Sequence, residues 1–241
     1  SSRGLGDVYK RQILDNGSTD NSLQIIKKTE EIFNKENIFI IRKSLNNGYG
    51  SGIKFAISKI VSNNKNLESE YDSKNVSLKK NFNYDVLSWT HADGQTPIVD
   101  VLKGLQIVKN IGKDNFLVKG LRVKRDDGFI ATVFTSVLNL IQIVFFSKSI
   151  ISPNSQPTLV STILLIDILH KTSDDFLFDL SVSIISSKFG VEIERFPVKF
   201  LNRESGSGAN QTIFQKLNFS IKNLVLLWKM RKYSRVYKKI I

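Results

Sequence analysis

The chain has 241 residues, with 41% hydrophobic and 10% aromatic residues, so it can build a sizeable core and is not wholly disordered. It contains no cysteine and only two histidines, His91 and His170, which excludes disulfides, zinc–thiolate sites, thiol catalysis and a three-histidine metal centre. The formal net charge of +13 points to an anionic partner: nucleic acid, a phosphorylated ligand or an anionic membrane surface.

Residues 1–12, SSRGLGDVYKRQ, hold no apolar run long enough for a secretory signal, and they read as a non-native or ragged segment ahead of the first domain. Ile13-Leu14 is a short strand closing into DNGSTD, after which Asn21-Ser22 caps a helix over about 22–34 with Leu23, Ile26 and Phe33 inward. Ile38 to Ile41 is a second strand. SLNNGYGSG, 44–52, is a glycine-rich loop before a helix near Ile53 to Val61. The polar, aperiodic stretch 62–83 reads as a mobile insertion. Tyr84 to Thr90 returns to strand character and stops at HADGQ. Pro97 then opens a helix carrying Val101, Leu102, Leu105 and Val108, and Phe116 to Lys119 is a further strand. This alternation predicts an α/β fold with a mainly parallel sheet.

Beyond it the pattern is apolar and helical. Phe129 to Phe146 is 18 uncharged residues, slightly under the ~20 needed to span a bilayer. Thr132, Thr135, Ser136, Asn139 and Gln142 form one polar stripe along it, which suits a core helix or one lying on a membrane. A helix is expected over 174–187. Val191 to Phe200, interrupted by Pro197, reads as an edge strand, and RESGSGAN at 203–210 as a flexible loop. The tail from Ile221 is a basic helix with seven Lys/Arg and no acid between Lys222 and Ile241.

Four constellations carry possible chemistry. DNGSTDNS puts Asp15 at the carboxyl end of a strand, where it can accept hydrogen bonds from a base or ribose; the same residues also make an ordinary helix cap. NNGYGSG lets backbone approach a phosphate, or simply turns the chain. In HADGQ the oxygens of Asp93 and Gln95, two residues apart at a strand end, can face a hard cation such as Mg2+ or Mn2+, with His91 beside them. Lys119, Arg122, Lys124, Arg125 and Arg203 suit phosphate oxygens or form a solvated basic face.

In order and spacing, ILDNGSTDNS, NNGYGSGI, HADGQTP, KGLRVKRDD, NSQP at 154–157, DDFLFD at 174–179 and FPVKFLNRESGSG resemble the family 2 glycosyltransferases. The similarity is to the branch of dolichyl-phosphate mannose synthase and bacterial polyprenyl-phosphate sugar transferases. The resemblance implies a GT-A, Rossmann-like domain that uses a nucleotide-sugar donor and Mg2+ or Mn2+. Carried onto this chain, it implies Asp15, Asn16, Asn47, Gly50, His91 and Asp93 at the donor, and Asp93 and Gln95 at the metal. It puts Arg122, Arg125 and Arg203 on phosphate, and Asp179 near the acceptor. A lipid-phosphate acceptor, already anionic, needs no strong general base. The family's usual opening strand and Pro-x-Asn-Glu loop are not matched, so the chain as written is expected to be poorly stable and weakly active. His91 stands where the family's metal motif usually begins with Asp, and Thr158 where a lysine commonly follows Gln-Pro.

The expected organisation is therefore a segment 1–12, a GT-A domain over 13–210 and a basic amphipathic helix over 211–241. The expected activity is inverting transfer to polyprenyl phosphate or another lipid, at the cytoplasmic face of a membrane and peripheral to it. Transfer to a soluble glycan or glycolipid, an inactive membrane-docking fragment and a basic nucleic-acid-binding domain are the alternatives. Nucleic acid is disfavoured because only the tail interleaves aromatics (Trp228, Tyr233, Tyr237) with basic residues.

Overall fold

A computed structural model of the protein describes residues 10–33, 38–62, 84–124, 136–137, 140, 152, 154–201 and 213–236. The chain folds as two compact units. The first takes the described residues up to Ser62 together with Ser173–Phe178, and the second takes 84–172 and everything from Asp179 onward.

The first unit runs β1 (Arg11–Asn16), α1 (Ser22–Phe33), β2 (Ile38–Lys43) and α2 (Tyr49–Ser62). β1 and β2 are parallel, in register from Arg11↔Ile38 to Asn16↔Lys43. Parallel neighbours cannot be joined by a tight turn, and α1 is the crossover between them. β1 starts two residues ahead of the Ile13-Leu14 pair. Asp20 Oδ1 accepts the Ser22 N–H at 3.0 Å, so the capping side chain sits just before the expected Asn21-Ser22. On α1, Leu23 and Ile26 are half-buried while Ile25 and Ile32 are exposed. α2 begins at Tyr49, inside the stretch expected to be loop, because the N–H groups of its first turn find acceptors in the 173–175 segment. Ile53, Phe55 and Ile57 are its buried apolar residues.

The second unit contains β3 (Val86–Trp89), α3 (Asp100–Ile111), β4 (Leu117–Lys124), β5 (Thr158–Ser161), α4 (Thr162–Leu169), α5 (Phe178–Lys188) from its second residue, β6 (Ile193–Lys199) and α6 (Ile213–Val236). Its sheet has the order β3-β5-β4-β6. β4 and β6 are parallel, but β5 runs antiparallel to both β3 and β4. The α/β class holds, with a mixed sheet where a mainly parallel one was expected. The reversal comes from β5, a strand of only four fully buried residues whose sequence TLVS has no readable alternation. β6 lies at the edge of this sheet, which accommodates Pro197.

Phe116, Val118, Leu159, Phe196 and Val198 form the sheet's core, and Val101, Leu105 and Val108 of α3 pack on it as the helical spacing predicts. Leu102, expected with them, is exposed; one residue past Val101, it is turned about 100° around the helix from it. α5 starts at Phe178, four residues later than expected, because Asp175 Oδ1 accepts the Leu177 N–H and holds 173–177 in a turn.

Of the insertion expected at 62–83, Ser62 is the last residue of α2 and the rest lies outside the described residues, as do the loop expected at 203–210 and most of Phe129–Phe146. Of that stretch Ser136, Val137 and Leu140 are described, and they are helical. No helix among the described residues is long and apolar enough to cross a membrane.

Candidate functional site

In the first unit Asp15 is the penultimate residue of β1 and is buried. Its Oδ1 accepts the Ser18 N–H at 2.9 Å, and its Oδ2 lies 3.6 Å from Arg42 Nε without a hydrogen-bond partner. Asn16 Nδ2 donates to Asn46 Oδ1 and to the Gly48 carbonyl at 3.0 Å, and Asn16 Oδ1 is buried with no hydrogen-bond partner. The strand end therefore carries two buried oxygens without hydrogen-bond partners on adjacent residues, Asp15 Oδ2, which is ion-paired with Arg42, and Asn16 Oδ1, both able to accept from hydroxyl or amide donors of a ligand. Asn47 is exposed on the loop that follows β2.

The glycine-rich segment lies against this strand end, and its space is used by the chain itself. The Gly50 and Ser51 N–H groups donate to the carbonyls of Asp175 and Asp174 at 3.2 and 2.8 Å. A Cβ on Gly50 would stand 2.4 Å from the Ser173 carbonyl oxygen, and Gly48, at φ +112°, faces the Asp174 carbonyl. The amino terminus of α2, expected to receive a phosphate at Gly50, is capped by backbone oxygens. Lys54 is buried and pairs with the exposed Asp174 at 2.7 Å, fixing the same segment. Tyr49 stacks on Phe176 with centroids 5.9 Å apart.

In the second unit HADGQ follows β3 as a turn. The Asp93 carboxylate accepts the Gln95 N–H at 3.2 Å, and Gly94 takes φ +74°. Gln95 is tied to the residue after Phe200 twice: its carbonyl accepts the Leu201 N–H at 2.8 Å, and its Nε2 donates to the Leu201 carbonyl at 3.3 Å. Asp93 and His91 are half-buried. Among the described residues no group of three or more His, Asp or Glu converges as a metal cluster. The donor set at HADGQ is one carboxylate and one amide, all oxygen, which fits a hard divalent ion that takes its remaining ligands from a diphosphate and water.

Arg122 donates to the Asn154 carbonyl at 3.2 Å and lies 3.8 Å over the Phe200 ring. Arg125 and Arg203 fall outside the described residues. Arg195, which sequence reasoning missed, is β6's cross-strand partner of Lys119 and donates to the Ser152 carbonyl at 3.4 Å. Burial draws its guanidinium down to about 10.

Asp179, which the resemblance puts near the acceptor, is 1% exposed in the first turn of α5. Its Oδ1 accepts from Trp89 Nε1 at 3.1 Å, Lys119 Nζ at 3.3 Å and Thr158 Oγ1 at 3.3 Å, and its Oδ2 accepts from Gln156 Nε2 at 2.9 Å. Lys119, read as suited to phosphate oxygens or to a solvated basic face, is wholly buried. Burial pulls its ammonium down to about 8, against the opposing pull of Asp179. The carboxylate thus joins β3, β4, β5 and the residue before Pro157 from inside, as a positioning group. Trp89 stands two residues before His91, so the network also anchors the strand that delivers HADGQ.

Residues 7–63 match the family model described as Glycosyl transferase family 2. No curated protein matches the chain. Two solved structures of glucosyl-3-phosphoglycerate synthase from Mycobacterium tuberculosis are similar to it in fold. One is a complex with phosphoglyceric acid (TM-score 0.56) and the other a complex with Mn2+, uridine-diphosphate-glucose and phosphoglyceric acid (TM-score 0.57). Each is 12% identical, and the match covers 91% of this chain and 67% of that one. The architecture is thus the GT-A fold of glycosyltransferases. Its amino-terminal βαβα segment carries the family 2 match.

Proposed function

We propose that the protein is an inverting, metal-dependent glycosyltransferase that moves a sugar from a nucleotide-diphosphate sugar to a polyprenyl phosphate. It would work at the cytoplasmic face of a membrane. The observation that carries this reading is the Asp15-Asn16 end of β1, with its buried oxygens that lack hydrogen-bond partners, in the segment that matches family 2 on a GT-A fold. The complex of the similar synthase with Mn2+ and uridine-diphosphate-glucose supports a nucleotide-sugar donor and a divalent ion here.

On this reading Asp15 and Asn16 accept hydrogen bonds from the nucleoside, through the two oxygens that lack hydrogen-bond partners. Asp93 and Gln95 hold Mg2+ or Mn2+, which when bound neutralises charge on the diphosphate. Arg122, together with Arg125 and Arg203, attracts anionic oxygen. An acceptor phosphate oxygen attacks the anomeric carbon as the bond to the diphosphate breaks. The diphosphate leaves with the electron pair, and the single displacement inverts the centre. The commitment of Asp179 to four interior donors supports an acceptor that is already an anion, because such a nucleophile needs no carboxylate to deprotonate it.

The test is transfer of label from a panel of nucleotide-diphosphate sugars, with Mn2+, to vesicles containing polyprenyl phosphate or to phosphoglyceric acid in solution. Label entering the lipid phase with inverted configuration is the expected result. Label on the soluble acid alone would replace the lipid acceptor, and transfer to neither would refute the reading.

A further inference from the structure

α6 shows two different faces. Asn223 and Leu227, one turn apart, are buried at 3% and 0% exposure. Phe214, Leu217, Ile221, Leu224, Val225 and Trp228 are exposed. At about 100° per residue these six fall within an arc of about 100°, and that arc points away from the Asn223–Leu227 side. The helix therefore packs by one face and presents on the other an apolar stripe roughly 20 Å long. Exposed Lys222 and Lys229 flank it. α6 carries six Lys/Arg in all and no acidic residue.

We infer that α6 docks the protein on an anionic bilayer surface, lying in the plane of the interface with this stripe inserted and Lys222 and Lys229 against lipid phosphates. This deepens the membrane part of the proposed function and rests on it for its purpose, though its test needs no turnover. Three observations choose the occupant. Six Lys/Arg along a helix that has no acidic residue of its own complement anionic headgroups and would repel a second copy of the same helix. The stripe holds only two heptads, short of the three to four that a stable coiled-coil seam requires. Trp228, an apolar ring with a polar N–H, closes the stripe as a side chain suited to the headgroup boundary. At 24 residues the helix is long enough to span a bilayer, but with six Lys/Arg it is not apolar enough to cross one.

The experiment is sedimentation of the full chain with vesicles of phosphatidylcholine alone or of phosphatidylcholine with 30% phosphatidylglycerol, free of polyprenyl phosphate and nucleotide sugar. Binding to the anionic vesicles that weakens with salt is expected. Lys222→Gln and Lys229→Gln should each weaken it about fivefold. Phe214→Ser with Ile221→Ser should weaken it at least tenfold with unchanged circular dichroism. Ile32→Ser, an equally exposed change on α1, should leave it unaltered. Equal binding to both vesicles, or full binding by the Phe214→Ser/Ile221→Ser variant, overturns the inference. So does a lipid-free dimer that this variant abolishes. Failure of sugar transfer with intact vesicle binding would count against the proposed function and leave the docking surface standing.

Discussion

The Lys119 ammonium lies 3.3 Å from Asp179 Oδ1, and both side chains are cut off from water. Thr158, whose hydroxyl shares that oxygen, is the cross-strand partner of Lys119 in the β4–β5 ladder.

Removing the carboxylate would leave Lys119 buried with its counter-charge gone. Asp179→Ala should therefore cost about 3–5 kcal/mol of unfolding free energy in urea, and Asp179→Asn less, since the amide oxygen still accepts from Trp89 or Thr158. A loss under 1 kcal/mol for the alanine variant would show that the network does not support the fold.

The reach of sequence reasoning is visible at this network. Asp179, Gln156 and Lys119 stand in three separate motifs, DDFLFD, NSQP and KGLRVKRDD. Their convergence depends on β5, four residues that reverse the sheet and bring Thr158 beside Lys119. No local period announces such a strand. β1, β2, α1 and β6 were legible because their apolar runs end in turn residues or proline. The Asp15-Asn16 strand end was legible for the same reason. The filling of the glycine-rich segment by 173–175 was not, since that contact joins residues more than 120 positions apart.

The pH dependence has a definite sign. Lys119 and Lys188 both release their protons near 8 in the folded chain, because burial disfavours the ammonium, while the unfolded chain holds them to about 10.5. Between those values the unfolded state binds more protons, so these groups make stability rise with pH from about 8 to about 10.5, with no contribution to the slope below 8. Comparing the protein with its Lys188→Met variant by urea unfolding at pH 7, 8.5 and 10 isolates one group. The protein should gain on the variant as pH rises; a constant difference would contradict the burial of that ammonium.

Close approach at Gly50 predicts a steric effect. Gly50→Ala sets a methyl 2.4 Å from the Ser173 carbonyl and 2.9 Å from Phe178 Cβ. The expected loss is about 1–3 kcal/mol. Gly112→Ala, at φ +59° with open space around it, should cost about 1–2 kcal/mol from backbone strain alone. Hydrogen exchange separates the two: Gly50→Ala should raise exchange in α2, and Gly112→Ala only at the end of α3. Unchanged protection of α2 would remove 173–175 from its proposed role as the cap.

Asn16→Ala tests the first strand end. It removes the donor to the Gly48 carbonyl and the Oδ1 that lacks a hydrogen-bond partner. Nucleotide affinity should fall by about tenfold, the worth of one good hydrogen bond, with a stability loss of about 1–3 kcal/mol from the Gly48 carbonyl left without this donor. Equal affinity in both proteins would move the nucleoside away from β1.

The most direct measurement is calorimetric titration of nucleotide-diphosphate sugars into the protein and into Asp93→Ala, each with and without Mn2+. The account predicts that at least one donor binds the protein in the presence of Mn2+. It also predicts that Asp93→Ala, which removes the only carboxylate of HADGQ, binds it no better with Mn2+ than without. No donor binding to the protein, or an undiminished Mn2+ enhancement in Asp93→Ala, would contradict it.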